Sequence, residues 1–280
     1  LQGVAVKLDI NQAWSDTLNL IQANIGVVAI VAGGFFFLPY FALVLFMPDM
    51  AQSMALEPNP DDPAAAFDQV MALYADLWLP MLLVFIAQTI GTLALLALLR
   101  AEARPTVGEA LKIGVVGLLT YIAANIVLYI VIGIVVGAVM GIAIASGIVA
   151  LAVILGIVFL VGFIYIAIKF SLLAPVIAID NVYNPIKALA RSWRLTKGNS
   201  LRMLAFYVLL IIALLVVSLV LGLIVALIFG LAGEEIALIG GGMINSALNA
   251  VYVVLMLGVL AAVHRQLAGP DAAAVSEDFE

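Results

Sequence analysis

Residues 113–168 read IGVVGLLTYIAANIVLYIVIGIVVGAVMGIAIASGIVALAVILGIVFLVGFIYIAI, an apolar run between Lys112 and Lys169 without one charged side chain. A bilayer core is about 30 Å thick and is crossed by about 20 apolar residues of helix. The run is too long for one crossing and fits two, at 113–140 and 148–174, with a tight turn near Gly141–Gly147. Transmembrane β-strands come as roughly 10-residue segments of alternating polarity, so the same stretch excludes a barrel. Outward from it, the runs 25–47, 77–99, 203–230 and 241–263 complete a set of six. Composition agrees. The 280 residues are 66% hydrophobic and 10% charged, with mean hydropathy +1.30, whereas a soluble domain is about 45–50% apolar and about 25% charged. The expected fold is an all-α integral membrane protein of six transmembrane helices, one membrane domain over residues 1–268. An acidic, disordered tail is expected at 269–280.

Basic residues sort the connections, because Lys and Arg stay on the cytoplasmic side. Residues 48–76 hold six acids and no base, the 141–147 turn holds no charge, and the 231–240 connection holds only Glu234 and Glu235. All 11 Lys and Arg fall in the other set of connections and ends. Six spans keep the two sets apart and an odd number mixes them, so both termini are expected to be cytoplasmic. Topology accounts for the basic residues, and nucleic-acid binding gains no support. With no Cys and one His, no disulfide, zinc site or cofactor is expected. The first 24 residues carry Asp9, Asn11, Asp16 and Asn19 where a signal peptide needs an apolar core.

Three short stretches precede the odd-numbered spans: Ile10-Asn-Gln-Ala-Trp14, Val107-Gly-Glu-Ala-Leu111 and Leu189-Ala-Arg-Ser-Trp193. Each reads apolar, two variable, small, bulky. In the first, Leu8, Trp14, Leu18 and Ile21 fall roughly on one helical face, as in helices that lie in the membrane interface. The pattern predicts three repeats of in-plane amphipathic helix plus helical hairpin. Ala64–Trp78, before the second span, also reads as a helix, lying on the outer leaflet.

The most distinctive segment is Ala174-Pro-Val-Ile-Ala-Ile-Asp180-Asn-Val-Tyr-Asn-Pro-Ile-Lys-Ala-Leu-Ala-Arg191-Ser-Trp193-Arg194-Leu-Thr-Lys197-Gly198-Asn199. Pro175 lacks an N–H and is expected to end the fourth span. Asn184-Pro185 is a cap followed by Pro at the first helical position. Trp193 anchors that helix in the interface, and Gly198-Asn199 ends it. Asp180 is placed to pair with Arg191 or Arg194 across the turn. Arg191, Arg194 and Lys197 are also candidates to hold a lipid phosphate.

This segment resembles the membrane domain attached to some bacterial glycerophosphoryl diester phosphodiesterases and the related YciC-like inner-membrane proteins. In those, a span ends in Ala-Pro, an acid follows about five residues on, and an Arg-Ser-Trp-x-Leu-Thr-x-Gly-Asn-like run comes next. The likeness extends more weakly over residues 8–267. Asp180 stands where Glu is usual and His264 where Tyr is usual. The resemblance implies a bacterial inner membrane and no catalysis, since the phosphodiesterase barrel is a separate domain that this chain lacks.

Inside the spans lie Asn125, Asn245 and Asn249, read as interhelical hydrogen-bonding groups or as the lining of a head-group pocket. Ionisable groups of the kind that run pumps and proton relays are missing from the span interiors, and Lys169 lies close enough to an end to snorkel. His264 reads as a polar end-cap, so a His–Asp hydrolase constellation is not expected. Gly133, Gly137 and Gly141 recur on one face of the third span, a stripe that packs within the bundle or against a partner. Pro39 should kink or weaken the first span. Together these features predict a non-enzymatic membrane protein that binds or helps handle membrane lipids. The alternatives are an accessory subunit of a larger complex or a homo-oligomer, and, behind those, a passive channel or transporter.

Overall fold

The structure, a computed structural model, describes residues 7–46, 63–100, 105–230 and 233–269. The acidic stretch before Pro63 and the expected acidic tail beyond Gly269 lie outside the described residues. Among the described residues every regular element is helical. Six helices or helix runs are long and apolar enough to cross a membrane: 25–45, 77–98, 107–145, 149–178, 200–229 and 236–268. This is an all-α membrane protein.

Helix α1 (Ile10–Ala23) starts at Asp9, whose side chain accepts from the Gln12 N–H at 3.0 Å. Its buried residues are Ala13, Thr17, Leu20 and Ile21, whereas Trp14 is exposed. The expected face is therefore rotated. At Gly258 of the last helix a Cβ would lie 2.9 Å from both Thr17 and Ile21, so the crossing is close and admits Ala and Thr but not an indole. The first span is α2 (Ile25–Ala32), a π turn over Gly33–Phe37, and α3 (Leu38–Phe46). Pro39 cannot donate to Phe35 and its ring presses on that carbonyl. The chain absorbs this by widening one turn, with the Leu38 N–H reaching Gly33 O.

Helix α4 (Pro63–Leu98) and helix α5 (Val107–Ala145) run unbroken for 36 and 39 residues. The helix expected to lie flat over Ala64–Trp78 and the one expected at Val107–Leu111 are therefore the first turns of spans. In α4 the helix continues through Pro80, and in α5 no proline stands between Leu111 and the apolar run that follows. A capping box starts α5: Glu109 N–H donates to Thr106 Oγ1 at 3.3 Å, and Thr106 N–H donates back to Glu109 Oε2 at 2.8 Å. The turn comes at Ser146–Ile148, with Gly147 at φ +72°, a few residues later than expected. Helix α6 (Val149–Phe170) is followed by α7 (Leu173–Ala178), α8 (Pro185–Leu195), α9 (Ser200–Phe229) and α10 (Glu234–Ala268).

Pro175 does not end a helix at Ala174. It sits in the first turn of α7, where a missing N–H is harmless. The break falls at Ser171–Leu172, because a proline disrupts the carbonyl four residues before it, here that of Ser171. Of the three expected in-plane helices, α1 and α8 stand as separate elements.

A close crossing joins α4 and α5. A Cβ on Gly114 would lie 2.6 Å from the Ile90 carbonyl oxygen, and one on Gly117 would lie 3.0 Å from Leu93 and Ile177. Residues 93–99 of α4 are buried throughout. Burial is uneven: 50% of the most apolar window of α10 and 44% of that of α4 is covered by protein, but only 6% for α5, for α6–α7 and for α9. The far half of the α5–α6 hairpin is therefore left uncovered by the rest of the described chain. Gly133, Gly137 and Gly141 are exposed there, with nothing within 4 Å of their Cβ positions. The small-residue stripe does not pack within the bundle.

Candidate functional site

The turn 179–184, between α7 and α8, is shaped by its own sequence and held from four elements. The α7 helix ends at Ala178, and Asn181 takes a left-handed φ of +54° that turns the chain. The Asn184 side chain then caps α8 by accepting from the Lys187 N–H at 3.0 Å. Thr120 of α5 donates its hydroxyl to Tyr183 O at 2.8 Å. Arg100, just past α4, donates to the Ile179 carbonyl.

Asp180 lies at the centre, with 7% of its side chain exposed. Its Oδ2 accepts from Arg191 Nε at 2.5 Å and lies 3.0 Å from His264 Nε2 near the end of α10. An ionised carboxylate only accepts, so Nε2 carries the proton. Burial pushes the Asp180 carboxyl up. The hydrogen bond and charge of His264, then those of Arg191, outweigh this and hold it below its ordinary value. Burial pulls the Arg100 guanidinium below its ordinary value, against the opposing charges of Tyr183 and Asp180.

Of the two partners open to Asp180 from the sequence, the structure selects Arg191; Arg194 is exposed. His264 is the residue that sequence reading missed. It is 3% exposed and pairs with an acid 84 positions away, so the absence of a His–Asp pair expected from the sequence is corrected. The one available signal was its departure from the usual Tyr. Among the described residues no hydroxyl bonds the other ring nitrogen of His264, and no group of His, Cys, Asp and Glu could hold a metal. The pair joins the end of α10 to the turn between α7 and α8.

The rest of the motif builds a second set of ties. Ser192 donates to the Lys169 carbonyl at 2.9 Å. Lys169 does not snorkel. It is buried, its Nζ donating to Thr196 O at 3.4 Å, with the rings of Trp193 and Tyr165 5.2 and 5.4 Å away. The carbonyls at the end of α8 and two aromatic faces take the place of water. Gly198 adopts φ +83°, which sends Asn199 back to the N-terminal segment. There Asn199 Oδ1 accepts from the Leu8 N–H at 2.9 Å, and Arg202 donates to Leu8 O at 3.1 Å. Gln266 of α10 closes the clasp through both backbone groups of Asp9.

On α8, Ala188 and Ser192 are buried, while Ile186, Lys187, Trp193 and Arg194 are exposed; Lys197 is exposed in the turn that follows. The helix thus presents an aromatic, an aliphatic and two basic side chains outward. The intramembrane asparagines are not brought together. Asn125 donates to Tyr121 O of its own helix at 2.8 Å, and Asn245 is exposed. The interhelical bond found there is instead Ser218 to Tyr252, at 2.8 Å.

Residues 106–267 match a protein family described as a domain of unknown function, DUF7847. The match covers more than half of the chain, which belongs to that family. No curated protein and no solved structure matches it.

Proposed function

We propose that this member of the DUF7847 family is a non-enzymatic membrane protein that holds anionic lipid head groups along its basic rim. We place that rim on the cytoplasmic side of a bacterial inner membrane, with both termini inside. The observation that carries the reading is the outward side of α8 and the turn after it: Arg194 and Lys197 exposed along with Trp193 and Ile186. Aromatic and aliphatic side chains seat such a helix at head-group depth. Each basic residue near an anionic surface contributes about 1 kcal/mol of attraction. Arg191 leaves the rim set, because it is committed to Asp180. The resemblance to the phosphodiesterase-linked membrane domains points the same way.

Native mass spectrometry after gentle extraction tests this reading. Phosphatidylglycerol should be retained in preference to phosphatidylcholine, and the R194Q/K197Q variant should lose the preference. Loss of all lipid without preference overturns it. One observation favours the second reading, an accessory subunit or homo-oligomer: Gly133, Gly137 and Gly141 face outward with nothing against them. Cross-linking in native membranes tests that, and a clean monomer sinks it.

A further inference from the structure

We propose that Arg100 and Arg191 together bind one phosphate-bearing anion beside the 179–184 turn. The site deepens the lipid reading above, and rests on it, by adding one stoichiometric position to a diffuse rim. Two guanidinium groups converge on adjacent residues of one turn, Arg100 on the Ile179 carbonyl and Arg191 on the Asp180 carboxylate. A single carboxylate therefore faces two permanent cations. His264, on the same Oδ2, supplies no compensating negative charge in either protonation state. Thr120, Asn181, Tyr183 and Asn184, the other polar side chains at the turn, include no acid. Among the described residues no second acid joins the cluster, so there two guanidinium groups share one carboxylate.

The bonding pattern leaves donors to spare. Arg191 reaches Asp180 through Nε, and its two terminal nitrogens have no hydrogen-bond partner among the described residues. Arg100 spends one terminal nitrogen on a neutral carbonyl. The guanidinium fork matches phosphate oxygens two at a time, which the ammonium of Lys cannot do. Arg191 is 16% exposed, which keeps part of this edge reachable. Asp180 orients Arg191, and His264 in turn orients Asp180. Both are positioning residues here. A lipid phosphodiester and a free phosphate present the same oxygens, so the chemistry is common to both.

The test uses the full-length protein, delipidated in a non-ionic detergent, with native mass spectrometry read against two probes in parallel, a short-chain phosphatidylglycerol and inorganic phosphate. The wild type should hold one anion at saturation. R100Q should weaken it about tenfold or more, and R100K, which keeps the charge but not the fork, should fall between. Stoichiometric binding of the lipid alone identifies a head-group site, and of phosphate alone a soluble ligand; either supports the proposal. If R100Q does not fold, R191K serves, since it keeps a cation beside Asp180 and loses the spare donors. R194Q/K197Q should retain the single anion while losing the broad lipid preference. Overturning results are no stoichiometric anion with either probe, or variants at Arg100 and Arg191 that bind as tightly as the wild type. If R194Q/K197Q loses lipid while R100Q loses nothing, the rim reading stands and this site falls.

Discussion

Replacing Asp180 by Ala is the sharpest perturbation of the hub. The carboxylate is 7% exposed, with Arg191 at 2.5 Å and His264 at 3.0 Å. Truncation strands a guanidinium that is 16% exposed and an imidazole that is 3% exposed. Breaking a fully buried pair costs about 3–5 kcal/mol, because the surviving charge has lost its compensation. An exposed pair contributes about 0–1 kcal/mol. Arg191 keeps some solvent, which lowers the figure, and the simultaneous loss of the His264 bond raises it, so the expected cost is about 2–4 kcal/mol. At roughly 2–4 °C per kcal/mol for a chain of this class, the melting temperature in detergent should drop by about 5–12 °C. The assay is a thermal melt followed by tryptophan fluorescence and circular dichroism. A double-mutant cycle with R191Q isolates the pair and should show coupling of about 1–3 kcal/mol. A D180A melt within 1 °C of wild type, or strict additivity in the cycle, refutes the reasoning.

The same carboxyl sets a pH dependence. It titrates below the roughly 3.9 of an unfolded Asp, so its stabilisation is present above that value and disappears as pH falls through the lower folded one. Melts of wild type and D180N should therefore differ at pH 7 and converge toward pH 3. Gly114→Ala places a methyl 2.6 Å from the Ile90 carbonyl oxygen and should cost about 1–3 kcal/mol in a detergent melt. Gly137→Leu meets nothing within 4 Å and should leave the melt of the isolated chain within about 0.5 kcal/mol of wild type. Asn199→Ala removes the acceptor for the Leu8 N–H, which should cost about 1–3 kcal/mol and speed hydrogen exchange in α1. The chain has no Cys, so single cysteines map topology cleanly. Position 60 should label from outside, and positions 190 and 269 only from inside.

The sequence by itself determined the class, the number of spans, the sorting of charge between the two sets of connections, and the local turns of the 174–199 segment. These are properties of contiguous residues. Length and apolarity define a crossing, Asn184-Pro185 caps a helix, and Gly198 supplies a left-handed residue wherever the segment finds itself. Even the proline break was legible in kind; only its place, four residues upstream at Ser171, needed the geometry of the carbonyl it displaces. The tertiary structure alone decided which faces touch. In a membrane the side of a helix against lipid and the side against another helix are equally apolar, so periodicity does not separate them. Gly133, Gly137 and Gly141 have the spacing of a packing stripe yet face outward, while the close crossings fall at Gly114 and Gly258. The hub was hidden for a related reason. Asp180 had basic candidates within a few turns, but His264 comes from another span end, and no local pattern announces a partner brought there by the folding of the whole bundle.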